Sequence, residues 1–215
     1  MFFGPDNQGP VPEAVLEALR VANQGYAASY GADAITLDVV SRIQTLFEAP
    51  NAAVYLAATG TAANTLALAC LCPPWATIYC SPVAHIQEDE CNAPEFFTGG
   101  AKLNLVGSDD KLTPAALEQA ILGTAQGDVH GPQRGPVSLT QITEKGRIYT
   151  LSELSELCAV AKAYDLPVHM DGARVANAIA ALGCSPAELT WRCGIDALTF
   201  GGTKTGLLGV EAVIF

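Results

Sequence analysis

The chain has 215 residues, of which 50% are hydrophobic and only 15% are charged, so it can bury a substantial core and is not a disordered protein. Twenty-two acids against eleven bases give a formal net charge of −11, which argues against nucleic acid or an anionic membrane surface as the main partner. A small ligand is not excluded, because the field inside a cleft can differ from the net charge.

The N-terminal part, residues 1–30, is predicted to be an irregular segment rich in glycine and proline with one helix at 13–22. Residues 31–215 are predicted to form the main domain, which begins with an amphipathic helix at 36–48. The strands that follow are predicted at 53–57, 77–80, 102–106, 137–141, 166–170, 197–200 and 207–215, and the helices at 62–72, 113–122, 152–164 and 175–182. This alternation predicts an α/β protein with three α/β/α layers and a mainly parallel sheet.

Residues 49–84 contain no charged side chain, which could indicate a membrane span. Polar residues such as Thr59 and Asn64 interrupt the segment and Pro73-Pro74 would break a helix, so a buried strand, turn and helix explain it better. The seven cysteines are an odd number, lie mostly in apolar segments and follow no secretory leader. We therefore expect reduced thiols, a cytoplasmic protein and no metal site.

Asp171 and Lys204 each follow an apolar strand, and ligands of open α/β sheets bind at the carboxyl ends of strands. A lysine amine that holds an aldehyde and a carboxylate that keeps a pyridine nitrogen protonated are what pyridoxal 5′-phosphate (PLP) requires. Taken singly, Asp171 could be a helix-capping acid and Lys204 a solvated loop residue.

Gly60 and Thr61 stand between a strand and a helix, where free backbone amides can bind an anion, although an ordinary turn explains such a pair equally well. His85 follows another strand, where an imidazole can stack on a ring or transfer a proton. Alone, it could equally be a polar residue at the rim of a cleft.

Five segments together resemble the threonine aldolase family: TGTAAN (59–64), AHIQEDECNAPEFF (84–97), VSLTQITEKGRIYTLSEL (137–154), HMDGARVANA (169–178) and DALTFGGTKTG (196–206). The resemblance implies the aspartate-aminotransferase-like PLP fold, known as fold type I. It also implies cleavage of β-hydroxy-α-amino acids such as L-threonine or phenylserine to glycine and an aldehyde, in a dimer or tetramer of identical chains. The family's small C-terminal domain is missing from these 215 residues, and we expect the protein to continue beyond Phe215.

The resemblance also implies residue roles. Lys204 would hold the cofactor and move protons, Asp171 would pair with the ring nitrogen, and His85 would stack on the ring. Gly60 and Thr61 would bind the phosphate.

Three further residues have implied roles with open alternatives. Arg174 would bind the substrate carboxylate or a cofactor oxygen, unless it forms a structural ion pair. His130 would act near the substrate side chain, unless it is a solvent-exposed loop residue. Glu90 would lie near the ring, unless it is one more surface acid. The chain departs from many family members at Gln141-Ile142-Thr143, where they have Asn-Thr-His.

Three other functions remain open. Another fold type I enzyme, such as a β-eliminating lyase or an aminotransferase, would keep Lys204 and Asp171 but break a different bond. An inactive fragment with only a structural role is a second alternative. A nucleotide-binding domain is disfavoured because no G-x-G-x-x-G follows the first strand.

Overall fold

The computed structural model describes residues 4–215. It contains one seven-stranded sheet of order β1-β7-β6-β5-β4-β2-β3, in which β7 is antiparallel to both of its neighbours and the other pairs are parallel. The strands are β1 (Val54–Ala57), β2 (Thr77–Cys80), β3 (Lys102–Leu105), β4 (Val137–Thr140), β5 (Val168–Gly172), β6 (Ala197–Gly201) and β7 (Glu211–Ile214). The predicted, mainly parallel sheet is confirmed.

Nine α-helices accompany the sheet in residues 4–215. They are α1 (Glu13–Ala22), α2 (Ala34–Leu46), α3 (Gly60–Leu71), α4 (His85–Glu88), α5 (Ala93–Phe97), α6 (Pro114–Gly123), α7 (Leu151–Ala163), α8 (Val175–Leu182) and α9 (Pro186–Leu189).

The core lies on both faces of the sheet. Successive residues of a strand point to opposite faces, and the neighbours Ile78 and Tyr79 of β2 accordingly belong to different buried clusters. The Tyr79 cluster also contains buried residues of α2, α6, α7 and α8, whereas Leu68 of α3 lies in the Ile78 cluster. Helices therefore cover both faces, and the three-layer prediction is confirmed.

Side-chain caps set several helix boundaries. Thr59 accepts a hydrogen bond from the Ala62 N–H and so begins α3 two residues before its predicted start. Asp33 caps α2 in the same way, and Thr150 forms a reciprocal capping box with Glu153 at the start of α7. The left-handed Gly183 ends α8.

The structure differs from the sequence prediction in several places, and one of them is the short helix α5, which was not predicted. Residues 207–210 are not part of the last strand, which begins only at Glu211. The short helix α9, which has its own capping box, was not predicted. Residues 88–90 were expected to be a loop or the start of a helix; Glu88 instead ends the one-turn helix α4, whereas residues 89 and 90 lie in a loop as expected.

The N-terminal segment packs little against the rest of the chain. No residue from 4 to 42 is buried, and Ile43 of α2 is the first that is. Residues 1–3 of the predicted 1–30 unit lie outside the described residues, and the boundary at residue 30 stays a prediction. Among residues 4–215, no helix has both the length and the apolar character that a membrane span requires.

Candidate active site

A cavity of about 320 Å³ opens at the carboxyl ends of the central strands, within the size range of small-molecule sites. It is lined by Asn7, Ala58, Thr59, Gly60, Thr61, Asn64, His85, Asp171, Ala173, Thr203, Lys204, Gly209 and Glu211. Five of the seven residues predicted to form the site are among them, namely Gly60, Thr61, His85, Asp171 and Lys204.

Asp171 is buried near the end of β5, between Thr140 of β4 and Thr199 of β6 in the sheet register. Its Oδ2 accepts a hydrogen bond from Asn64 Nδ2 at 2.8 Å, and its Oδ1 accepts one from the Ala173 N–H at 3.0 Å. Two donors thus fix the plane of the carboxylate, and each oxygen retains a further lone pair for a ligand.

His85 lies at the start of α4 and is joined to Asp171 through two side chains. Its Nδ1 lies 2.8 Å from Glu90 Oε1, and the same oxygen accepts a hydrogen bond from Asn64 Nδ2 at 2.9 Å. Glu90 is buried and acts only as an acceptor when ionised, so Nδ1 carries the proton and Nε2 of the neutral ring remains an acceptor.

The surroundings of His85 favour its protonated form. The hydrogen bond to Glu90 raises the pKa of His85, burial opposes this, and the nearby negative charge of Asp171 raises the pKa further. Lys204 opposes the rise through its positive charge. His85 is therefore a stronger base than an exposed histidine.

Lys204 lies in a short 3₁₀ turn, Thr203–Thr205, directly after β6. A Cβ at Gly201 would lie 2.5 Å from the Ala173 carbonyl oxygen, so only glycine allows the end of β6 to lie so close to the chain that follows Asp171. This close approach brings Lys204 and Asp171 to the same cavity.

The first turn of α3 forms another wall. The N–H groups of Gly60 and Thr61 occupy the first two helical positions and have no acceptor within the helix, whereas Thr59 Oγ1 takes the N–H of Ala62. A Cβ at Gly60 would meet no atom within 4 Å, so the space in front of this turn is open. The arrangement is suited to an anion such as a phosphate.

Arg174 and His130 do not line the cavity. Arg174 Nε donates to Asp6 Oδ2 at 2.6 Å, which is the ion pair left open as the alternative. Burial alone would raise the pKa of Asp6, but the hydrogen bond and the positive charge of Arg174 lower it. His130 is exposed in the loop between α6 and β4, and its N–H donates to Asp128 Oδ1. The structure therefore does not bring these two residues to the other five, and their roles stay predictions.

Among the lining residues that were not predicted, Asn64 and Glu211 are the buried polar ones. Asn64, which bridges Glu90 and Asp171, looked in the sequence only like a polar interruption of an apolar segment. Glu211 is a buried acid whose pKa is raised by burial. An acid inside the apolar run 207–215 was the one signal that could have identified it, because a buried carboxylate is costly without a purpose.

His85, Glu90 and Asp171 could also be considered as metal ligands, since one ligand atom from each lies within 4.8 Å of the others. Asn64, however, donates one amide hydrogen bond to each of the two acids and occupies the space between them. The expectation of no metal site stays a prediction.

Comparison with known proteins decides the family. The sequence model described as Beta-eliminating lyase matches residues 4–215, nearly the whole chain. The chain belongs to the beta-eliminating lyase family. Enzymes of this family depend on PLP, in agreement with the predicted cofactor.

Several relatives within the beta-eliminating lyase family are threonine aldolases, which confirms the resemblance. The low specificity L-threonine aldolase of Pseudomonas sp. (strain NCIMB 10558) is 44% identical over 99% of this chain and 61% of its own length. That of Escherichia coli (strain K12) is 27% identical over 91% of this chain and 58% of its own. The structure of Leishmania major threonine aldolase superposes with a TM-score of 0.90 at 28% identity, over 98% of this chain and 60% of that one. The chain thus spans about 60% of the length of these relatives.

The cavity residues fit the family's cofactor. The buried acceptor atoms Asn64 Oδ1 and Glu211 Oε2 of the cavity wall have no hydrogen-bond partner within residues 4–215, so the walls are suited to a ligand that brings donors. PLP carries a protonated ring nitrogen and a phosphate. Asp171 offers an acceptor for the first and the first turn of α3 offers donors for the second.

Proposed function

We propose that the protein is a PLP-dependent carbon-carbon lyase that cleaves a β-hydroxy-α-amino acid, such as L-threonine or phenylserine, to glycine and an aldehyde. The observation that carries the proposal is that Lys204, Asp171 and His85 line one cavity beside the first turn of α3. The threonine aldolase relatives supply the choice of reaction within the family.

The cofactor would be held at both of its ends. Lys204 Nζ would bind the aldehyde carbon of PLP, and the N–H groups of Gly60 and Thr61 would bind its phosphate. Asp171, held in plane by Asn64 and Ala173, would keep the ring nitrogen protonated. When bound, PLP supplies an electron sink for the pair released from the Cα–Cβ bond.

The substrate would be held by a cation and deprotonated by an imidazole. Arg174 would bind the substrate carboxylate, for which it must exchange its present partner Asp6. His85 Nε2 is the acceptor available for the β-hydroxyl proton, because Glu90 occupies Nδ1. His130 would share this role only if its loop moved toward the cavity. After cleavage, Lys204 would return a proton to Cα to complete glycine.

The experiment is a product analysis of the chain incubated with PLP and either L-threonine or phenylserine. We expect glycine and the matching aldehyde in equal amounts, with the products lost in Lys204→Ala. Release of ammonia with 2-oxobutyrate from L-threonine or phenylpyruvate from phenylserine, or amino-group transfer to a keto acid, without glycine would favour the β-eliminating or aminotransferase alternative and refute the aldolase assignment.

A fragment with only a structural role is the remaining alternative. The convergence of titratable side chains on one cavity speaks against it, since a structural piece has no need of them. Failure of the chain to take up PLP at all, measured by visible absorbance, would support the fragment alternative.

The protein is further proposed to be a cytoplasmic homo-oligomer, either a dimer or a tetramer. Tyr55, Leu56 and Leu66 are exposed around an apolar groove of about 500 Å³ at the β1 edge of the sheet, where a second copy could cover them. All seven cysteines are free thiols, as a reducing compartment favours. Light scattering after gel filtration tests the oligomeric state.

A further inference from the structure

Glu144, an acid that follows β4, makes two hydrogen bonds at the edge of the cavity. Its Oε1 accepts one from the backbone N–H of His85 at 2.7 Å and one from Thr140 Oγ1 at 3.0 Å. Glu144 does not line the cavity itself. Its contacts therefore act on a residue of the site and not on a ligand.

The N–H that Glu144 accepts is a helix-end group that otherwise has no acceptor within its helix. His85 is the first residue of the one-turn helix α4, and Ala84 before it provides no side-chain cap. Glu144 supplies the missing acceptor from the turn that follows β4. Glu144 therefore holds the His85 backbone at the N–H end, which α4 itself leaves without an acceptor.

The second bond connects this support to Asp171. Thr140 is the register partner of Asp171 across β4 and β5. Glu144 thus joins the backbone of His85 to the strand position beside Asp171. This connection is a second link between the two residues, besides the one through Glu90 and Asn64.

Glu144 is an unfavourable choice for a purely structural brace. Its Oε2 is buried without a partner in the described residues 4–215, and burial raises its pKa. A desolvated carboxylate costs stability that a neutral side chain in a simple turn would not.

We propose that Glu144 is a positioning residue that holds the His85 backbone so that the His85 ring keeps its hydrogen bond to Glu90. The catalytic consequence rests on the proposed function, but the positioning itself does not. It can be measured on the chain without cofactor or substrate.

The test is the titration of the His85 ring in the cofactor-free chain by proton NMR, with the signal assigned by its loss in His85→Asn. In Glu144→Ala the His85 ring should lose its bond to Glu90, so its pKa should fall toward that of an ordinary histidine. The groups that face His85 are Glu90, Asp171 and Lys204, and none of them is changed in this variant. Glu144→Gln, which keeps an acceptor oxygen, should titrate like the parent chain.

Glu153→Ala is the matched control. Glu153 Oε2 likewise accepts a backbone N–H at 2.7 Å and a threonine hydroxyl at 3.0 Å, both from Thr150, but does so at the start of α7 away from the cavity. This variant should lose stability without moving the His85 titration. If Glu144→Ala does not fold, Thr140→Val removes the second bond and should shift the His85 titration in the same direction by less.

An unchanged His85 titration in folded Glu144→Ala would overturn the proposal. An equal fall of the His85 pKa in Glu144→Gln would overturn it too, because the effect would then come from the charge of Glu144 and not from its acceptor oxygen. In the PLP-loaded chain we expect Glu144→Ala to reduce turnover by about tenfold or more, as displaced catalytic groups do. If the PLP-loaded parent chain shows no aldol cleavage but Glu144→Ala shifts the His85 titration, the proposed function is refuted and the positioning role is retained.

Discussion

The two ends of strands β5 and β6 hold cavities of similar size and opposite chemistry. The cavity at the carboxyl ends has about 320 Å³, and the one at the amino end of β6 has about 380 Å³ and is lined by Phe47, Ala52, Ile195, Leu198, Ile214 and other residues. A choice of the ligand site by cavity volume alone would therefore favour the amino end, which holds none of the predicted site residues.

The polar groups at the two ends differ in how they are satisfied. At the amino ends, Asp196 Oδ2 accepts the Val168 N–H and Trp191 Nε1 donates to the Phe47 carbonyl. At the carboxyl ends, buried oxygens of Asn64, Glu90 and Glu211 have no partner within residues 4–215. Incomplete hydrogen bonding therefore distinguishes a cavity suited to a ligand from a gap in packing.

Replacing one lysine at each end by alanine is expected to give the largest difference between the two ends. Lys204→Ala should remove PLP-dependent visible absorbance and reduce turnover to background, because no other amine lines the cavity in residues 4–215. Lys162→Ala, at a cavity on the amino ends, should retain both. Equal losses of PLP absorbance and turnover in the two variants would show that the two ends do not differ in function.

Replacing one aspartate at each end by asparagine is expected to give the next largest difference in turnover. Asp171→Asn replaces a charge with an amide whose donor faces those of Asn64 and Ala173, so we expect turnover to fall by about 100-fold or more. Asp196→Asn keeps an acceptor for the Val168 N–H and should leave turnover unchanged. Steady-state kinetics of both variants with phenylserine decide the matter.

A substitution at the apolar amino end should change the stability of the fold and not the binding of PLP. Ile195 is buried, and Ile195→Ala should lower the free energy of unfolding by about 2–5 kcal/mol through lost burial and an enlarged cavity. PLP binding by the folded variant should stay the same. Denaturant unfolding and a PLP titration measure the two quantities, and weaker PLP binding would show that the ends are coupled.

The smallest effect concerns pH. Because Glu90 raises the pKa of His85, the imidazole becomes a free base only as the pH rises past this elevated value, and kcat/KM should increase there. Glu90→Gln removes the charge that favours the imidazolium, so the acid limb of the profile should move to lower pH. Glu188→Gln, at the cap of α9, should leave the limb in place. A limb that stays fixed in Glu90→Gln would assign the titration to another group.

Much of the fold could be predicted because local patterns determine it. Apolar runs gave the seven strands, and the alternation with helices gave the layers. The order of Asp171 and Lys204 after neighbouring strands was enough to place both at one edge, since parallel strands carry their carboxyl ends to the same side.

Contacts between distant segments could not be predicted from such patterns. Arg174 pairs with Asp6, 168 residues earlier, and Asn64 binds Asp171 across 107 residues. Neither pair has a spacing that sequence periodicity encodes. His130 lies in a polar loop whose conformation no hydrophobic pattern restricts, and the structure leaves it exposed.

Borohydride reduction of the chain incubated with PLP, followed by peptide mapping, tests most directly whether the carboxyl-end cavity holds the cofactor. The account predicts a single phosphopyridoxyl group on Lys204, and none in Lys204→Ala. Labelling of Lys162 or another lysine in place of Lys204, in the folded chain, would contradict it.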